Sequence, residues 1–235
     1  MNAYLKSALL LVTLIPLVAA GTNVYQSAAH FNPDGIGKIY MGREIAQVMG
    51  HQGADWLERT ERAEEEAPEK LVKLLNLQPG DQVADIGAGT GYISWRMAKI
   101  VGITGKVFAV DIQPEMLELL AGRMKERGIT NVVGVLGTIT DPKLNPNSID
   151  LALMVDVYHE FSQPVEMMKN LIAGLKPGGR VAFVEYRGED PTVPIKPLHK
   201  MTVEQVRKEA EAAGLKFEKT IEALPRQHLI LFQKK

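Results

Sequence analysis

The chain contains no cysteine among its 235 residues. That excludes disulfides, thiolate metal sites and cysteine nucleophiles together. Basic charge is not in surplus either, with 27 Lys and Arg against 28 Asp and Glu and a formal net charge of -1. A nucleic-acid partner is therefore not expected, because displacing counterions from phosphates calls for a basic excess. Aromatic residues are scarce at 6%, yet 46% of the chain is hydrophobic and 23% charged, so an ordinary globular core is affordable. No apolar run reaches the roughly 20 residues of a membrane-spanning helix. The longest, Ala8 to Ala20, follows a single cation, Lys6, contains Pro16, and ends on the small residues Val18, Ala19 and Ala20. This is the order of a secretory signal. Residues 1–21 are thus expected to export the chain to the periplasm or to anchor it at a membrane; the alternative is the apolar first helix of a cytoplasmic protein.

Residues 22–40 are rich in Asn, Ser, Gly and Pro and read as a linker or extended arm. From about Met41 to Leu75 the apolar spacing, through Ile45, Val48, Met49, Trp56 and Leu57, predicts helices. Residues 22–68 are accordingly read as an arm with lid helices, in which Tyr40, Met41, His51 and Trp56 either close over a ligand or simply pack on a sheet edge. After Pro79-Gly80-Asp81 the rhythm changes to short β-branched runs alternating with longer helical ones. Strands are predicted at 83–86, 107–110, 132–136, 149–155 and 181–185, with helices at 91–100, 114–127 and 164–175 between them. Alternation of this kind implies right-handed βαβ units and a parallel sheet with helices on both faces. A helix from Thr202 and two last strands, 215–221 and 228–233, complete the pattern. No helix fits between those two strands, so they should form an antiparallel hairpin. The expected fold is a doubly wound, mostly parallel seven-stranded α/β domain over residues 69–235.

The most informative stretch is Asp85-Ile86-Gly87-Ala88-Gly89-Thr90-Gly91-Tyr92, at a predicted strand-to-helix turn. Glycines there let the backbone turn tightly and approach a ligand, and the following helix points N–H groups at the turn. The dinucleotide spacing G-x-G-x-x-G/A fails: counted from Gly87 its last slot is Tyr92, and from Gly89 it is Ser94. No Gly-Lys-Ser/Thr follows, so the P-loop fails as well. A purely structural turn and a different nucleotide-like cofactor are the remaining readings beside the one that fits.

The D-x-G-x-G-x-G pattern resembles that of class I, Rossmann-like S-adenosylmethionine (SAM)-dependent methyltransferases. The resemblance continues over roughly residues 70–233. Asp111 ends the second strand, and Leu175-Lys176-Pro177-Gly178-Gly179 resembles the turn before the fifth. It implies SAM as cofactor, with Asp85, Gly87, Ala88, Gly89 and Gly91 bordering its methionine part. It also implies Asp111 on the ribose hydroxyls, Ile112 on the adenine, and Thr138 where the family often has an adenine-binding Asp. The stretch Met154 to Phe161, with the Pro-rich segment 191–197, resembles the branch of ubiquinone and menaquinone methyltransferases. A small-molecule methyl acceptor is then expected; an envelope protein acceptor and a non-catalytic SAM-binding protein are the alternatives.

The fourth strand should deliver Asp156, Tyr158 and His159 to the reacting end. His159 is the candidate base, because its ordinary pKa lies near neutrality; packing or capping at the strand end is its bland role. Asp156 is expected as a polar wall near the SAM amine, and Tyr158 as an orienting group. Glu185 and Arg187 either orient an acceptor or form a surface ion pair. No metal site is expected. His159-Glu160 would need His at 163 for a zinc protease helix, where Gln163 stands, and no later Asp-Asn pair completes a catechol-type site.

Overall fold

The near-continuous apolar strands of this sequence have to be covered on both faces, and the computed structural model, which describes residues 24–235, shows how. The export or anchor segment expected at 1–21 lies outside the described residues. Three short strands come first: β1 (Tyr25–Ser27), β2 (Gly35–Tyr40) and β3 (Arg43–Ala46), a small antiparallel sheet. Then come α1 (Ala54–Leu57), α2 (Arg62–Glu66) and α3 (Pro68–Leu74). The main domain runs β4 (Gln82–Ile86), α4 (Ser94–Val101), β5 (Lys106–Asp111), α5 (Pro114–Glu126), β6 (Val132–Leu136), β7 (Ile149–Val155), α6 (Pro164–Gly174), β8 (Leu175–Tyr186), α7 (Val203–Ala212), β9 (Leu215–Ile221) and β10 (Gln227–Lys234).

The seven-stranded sheet has the order β6-β5-β4-β7-β8-β10-β9. Strands β4 to β8 run parallel to one another, while β10 is antiparallel to both β8 and β9. The doubly wound sheet and its C-terminal hairpin are thus as expected. The chain winds outward from β4 to β6 and then returns to place β7 on the other side of β4. That reversal opens a crevice beyond the carboxyl ends of β4 and β7. Alternation along the strands divides the core. Ile86, Met154 and Phe183 face Met168 and Leu171 of α6 and Val206 and Ala210 of α7. Val83, Leu153 and Val184 face Leu71 of α3 and Met97 of α4. Thr202 caps α7, its side chain accepting from the Gln205 N–H.

The helical reading of residues 41–50 is corrected. Met41 and Gly42 have φ of +47° and +100°, the two-residue turn of a β2–β3 hairpin in which Tyr40 pairs with Arg43. Two successive positive φ values match the right-handed twist of a hairpin and cannot continue a helix. Ile45 is buried from a strand, and Val48 and Met49 follow in a loop, so their helix-like spacing is coincidental. Residues 25–40, read as an arm, supply two of the three strands. Helix α4 starts at Ser94 rather than Gly91, because Gly89 and Gly91 hold φ of +53° and +79°. No described helix is long and apolar enough to cross a membrane.

Candidate active site

The loop after β4 is shaped by close approach. Gly87 and Ala88 both donate their N–H groups to the Val110 carbonyl, at 2.8 and 3.0 Å. Gly87, Gly89 and Gly91 all have positive φ. A Cβ on Gly87 would lie inside contact distance of Val157, and one on Gly89 would lie 2.7 Å from Leu57 Cδ1. Asp85 sits beneath the loop, fully buried, where its Oδ2 accepts the Ser94 hydroxyl at 2.6 Å. Burial pushes its carboxyl up to about 6. The ionised form is therefore disfavoured in the folded chain, which holds extra protons between about pH 4 and 6. The contribution of Asp85 to stability therefore falls as pH rises through that window. The urea stability of an Asp85→Asn chain relative to the parent is expected to improve by about 2–3 kcal/mol between pH 4 and 6.5; a gap that stays flat with pH would contradict this.

Asp111, at the end of β5, is buried and accepts two backbone N–H groups, from Gly89 on Oδ2 and from Gln113 on Oδ1, both at 2.9 Å. Burial holds its carboxyl above the ordinary range, opposed by those donors. Asp156 follows β7 with φ of +50°, which turns its carboxylate into the crevice. Its Oδ2 accepts from Gln227 Nε2 at 2.6 Å, and its buried Oδ1 has no partner among the described residues. Burial, and then the neighbouring Glu66 and Glu185 carboxylates, hold the Asp156 carboxyl well above its usual value. Arg62 lies at this end, ion-paired with Glu66 at 2.6 Å, and the carboxylates of Glu66, Asp156 and Glu185 outnumber it.

The pocket between these groups has a volume of about 550 Å³, well within the ~300–1,000 Å³ of small-molecule sites. Gly87, Gly89, Asp111, Ile112, Asp156 and His159 line it. Asp85, Ala88 and Gly91 do not; they shape the loop from behind. Thr138 is corrected: it is exposed, bonds Asp141 instead, and its neighbour Ile139 reaches the pocket. Tyr158 is also corrected. It is 1% exposed, packed edge-on to Phe161 and Phe183 in the core. Burial and the nearby Glu209 carboxylate keep its hydroxyl well above the usual pKa, so it is a neutral core phenol.

His159 is buried but borders the pocket, and its Nδ1 meets Glu185 Oε2 at 2.6 Å. Glu185 is fully buried and also accepts the Tyr158 N–H. Arg187 instead bonds Glu222 and the carbonyls of Leu224 and Pro225, so the Glu185–Arg187 surface pair does not form. The far wall comes from the N-terminal segment and the loop after β8. Val48, Met49, Trp56 and Leu57 oppose Pro194 and Ile195. Tyr40, Met41 and His51 stay outside the lining. The wall is tied down by Gln113, which accepts the His51 N–H and donates to the Met49 carbonyl, and by Glu160, which accepts the Met49 N–H. Thr90 of the glycine loop donates to Glu58 at 2.6 Å. Sequence reasoning missed Gln113, Arg62 and His199 as pocket residues. For Gln113 the signal was adjacency to Asp111 and Ile112; for the other two no local signal exists.

Comparison with known proteins places this geometry. A family model described as "Methyltransferase domain" matches residues 77–228. The chain is 33% identical over 117 residues to a ubiquinone/menaquinone biosynthesis C-methyltransferase, UbiE, of Bdellovibrio bacteriovorus, covering 50% of this chain and 49% of that one. A UbiE of Azotobacter vinelandii is 24% identical over 167 residues, covering 68% and 66%. The chain spans about half the length of the first curated relatives it matches. A crystal structure of a SAM dependent methyltransferase from Aquifex aeolicus superposes with a TM-score of 0.76 at 25% identity, covering 80% of this chain and all of that one. The chain belongs to the methyltransferase-domain family and has its class I, Rossmann-like fold.

Proposed function

We propose that the chain transfers a methyl group from SAM to a small, largely apolar acceptor. The observation that carries this reading is the pocket end at Asp156, where carboxylates outnumber cations and the buried Asp156 Oδ1 has no partner among the described residues, joined to a glycine loop in which Gly87 has no room for a Cβ. A ligand with a positive sulfonium and a positive ammonium fits that end. Bound SAM supplies an electrophilic methyl and its own leaving group.

The chain's residues then have four tasks. Gly87 and Gly89 let the loop backbone lie against the methionine part. Asp111 keeps lone pairs free for ribose hydroxyls, because each of its oxygens accepts only one backbone bond. Ile112 lies against the adenine, and the unpartnered Oδ1 of Asp156 meets the ammonium. Met49, Trp56, Pro194 and Ile195 hold the acceptor and exclude water. His159, with Nδ1 committed to Glu185, presents Nε2 to the acceptor and takes its proton where one is lost. UbiE-type relatives are named for C-methylation in ubiquinone and menaquinone biosynthesis, which supports an apolar ring acceptor here.

An Asp111→Ala chain is expected to bind SAM about 10–100-fold more weakly by calorimetry, the scale of hydrogen bonds lost to a charged group. Unchanged affinity would remove Asp111 from the site. The function itself is tested with the full chain, methyl-labelled SAM and a cell extract. Label in the organic phase supports a small-molecule acceptor; label confined to protein bands contradicts it. The leader adds export or anchoring to this reading, tested by sequencing the mature N-terminus: cleavage after Ala20 or recovery with membranes supports it, and an intact Met1 in the soluble fraction contradicts it.

A further inference from the structure

Three side chains in the pocket wall converge on one point. His159 and Glu160 come from the turn after β7, and His199 from a turn 40 residues later. His159 Nε2 and His199 Nδ1 are 3.2 Å apart, His199 Nδ1 and Glu160 Oε1 are 3.5 Å apart, and His159 Nε2 and Glu160 Oε1 are 3.9 Å apart. All three donors lie within 4.8 Å of one another, and all three residues line the pocket.

We propose that His159 Nε2, His199 Nδ1 and Glu160 Oε1 form a binding site for a divalent first-row transition metal, zinc first among them. Three lines of geometry carry this. Ligands about 2.0–2.1 Å from a zinc ion lie roughly 2.9–3.4 Å from each other in octahedral or tetrahedral arrangement. Two of the three edges are already at or close to that spacing, and the third closes by about half an ångström through the Glu160 side chain. Second, His159 is oriented as a ligand. Its Nδ1 faces the fully buried Glu185 carboxylate at 2.6 Å, so the Nδ1 proton is held there and the Nε2 lone pair is aimed at the cluster. A carboxylate behind the far nitrogen is the usual support of a metal-bound imidazole. Third, two imidazoles and one carboxylate are the donor set of zinc and of other first-row ions, and three protein ligands leave a position open. Here the open side is the pocket.

Within the methyltransferase reading, on which this clause alone rests, the metal takes over the Nε2 lone pair from proton acceptance. It then polarises an acceptor oxygen instead, and the oxygen's proton leaves to solvent. Metal binding and proton acceptance by His159 are mutually exclusive, so the two modes separate experimentally.

The test uses the full chain, stripped with a chelator and titrated with Zn²⁺ by calorimetry and with Co²⁺ by visible absorption. One equivalent is expected to bind, and bound Co²⁺ should show the intense bands of a four- or five-coordinate ion. His199→Ala, a half-buried turn residue whose loss leaves the core intact, should weaken binding at least about 100-fold, and Glu160→Gln likewise. Glu185→Gln should weaken it about 10–100-fold. Stoichiometric binding is not expected to survive in the His199 variant. Failure to bind either ion stoichiometrically, or binding indifferent to both His199→Ala and Glu160→Gln, overturns the site and leaves a hydrogen-bonded histidine pair. SAM titration of the same samples reads the methyltransferase assignment separately.

Discussion

A Gly87→Val chain is expected to bind SAM at least about 100-fold more weakly than the parent, a loss of roughly 3 kcal/mol. Gly87 has φ of +69°. A left-handed backbone costs an ordinary L-residue roughly 1–2 kcal/mol, and a β-branched one more. The new Cβ would also meet Val157, the residue after Asp156. Relief requires the loop to swing away from Val110, whose carbonyl holds the N–H groups of both Gly87 and Ala88. That movement pulls Gly89 from Asp111 and reshapes the crevice on both sides. The folded chain should lose about 2–3 kcal/mol as well, so calorimetry is paired with thermal unfolding to show that the variant is folded when its binding is measured. Parent-like affinity would mean that the loop does not contact the cofactor.

Arg43→Ala is the second large effect, expected to destabilise the chain by about 3–5 kcal/mol. Arg43 lies on β3 and forks onto the Glu209 carboxylate of α7 at 2.7 and 3.0 Å. Glu209 is 0% exposed. Gln205 Nε2 donates to it at 2.7 Å and the Tyr158 hydroxyl lies beside it, so without the guanidinium a buried charge is left with neutral donors alone. A Glu209→Gln change added to Arg43→Ala should therefore recover part of the loss, and a double variant worse than Arg43→Ala would contradict this account. Arg43 also donates to the His159 carbonyl at 3.0 Å. Its loss is expected to lower kcat more than SAM affinity, because it frees the turn that carries His159 and Glu160 while leaving the glycine loop and Asp111 in place.

How far the sequence could be read follows from how local each feature is. The strands β4 to β8 have apolar centres and are bounded by turn residues, so their positions and parallel direction were legible. The glycine loop was legible because its backbone demands are met by residue type alone. Asp111 and Asp156 were legible from their places at strand ends. Tyr158 was misjudged for a geometric reason. After the positive φ of Asp156 the chain enters a 3₁₀ turn, so Tyr158 points into the core and His159 points to the pocket. Adjacent residues at a strand end share a neighbourhood but not a direction. The β2–β3 hairpin was missed because a single Met-Gly turn outweighs a short helical spacing. The convergence of His159, Glu160 and His199 was not legible at all. It depends on a turn 40 residues downstream folding back over the β7 end, which no local pattern encodes.

The central claim is that the backbone from Asp85 to Gly91, with Asp111 beside it, holds a sulfonium nucleoside at the β4–β7 switch point. Calorimetric titration of the full chain with SAM tests it most directly. The account predicts saturable one-to-one binding that Asp111→Ala weakens and Gly87→Val removes. Absence of binding by the folded parent, or binding that Gly87→Val leaves untouched, would contradict it.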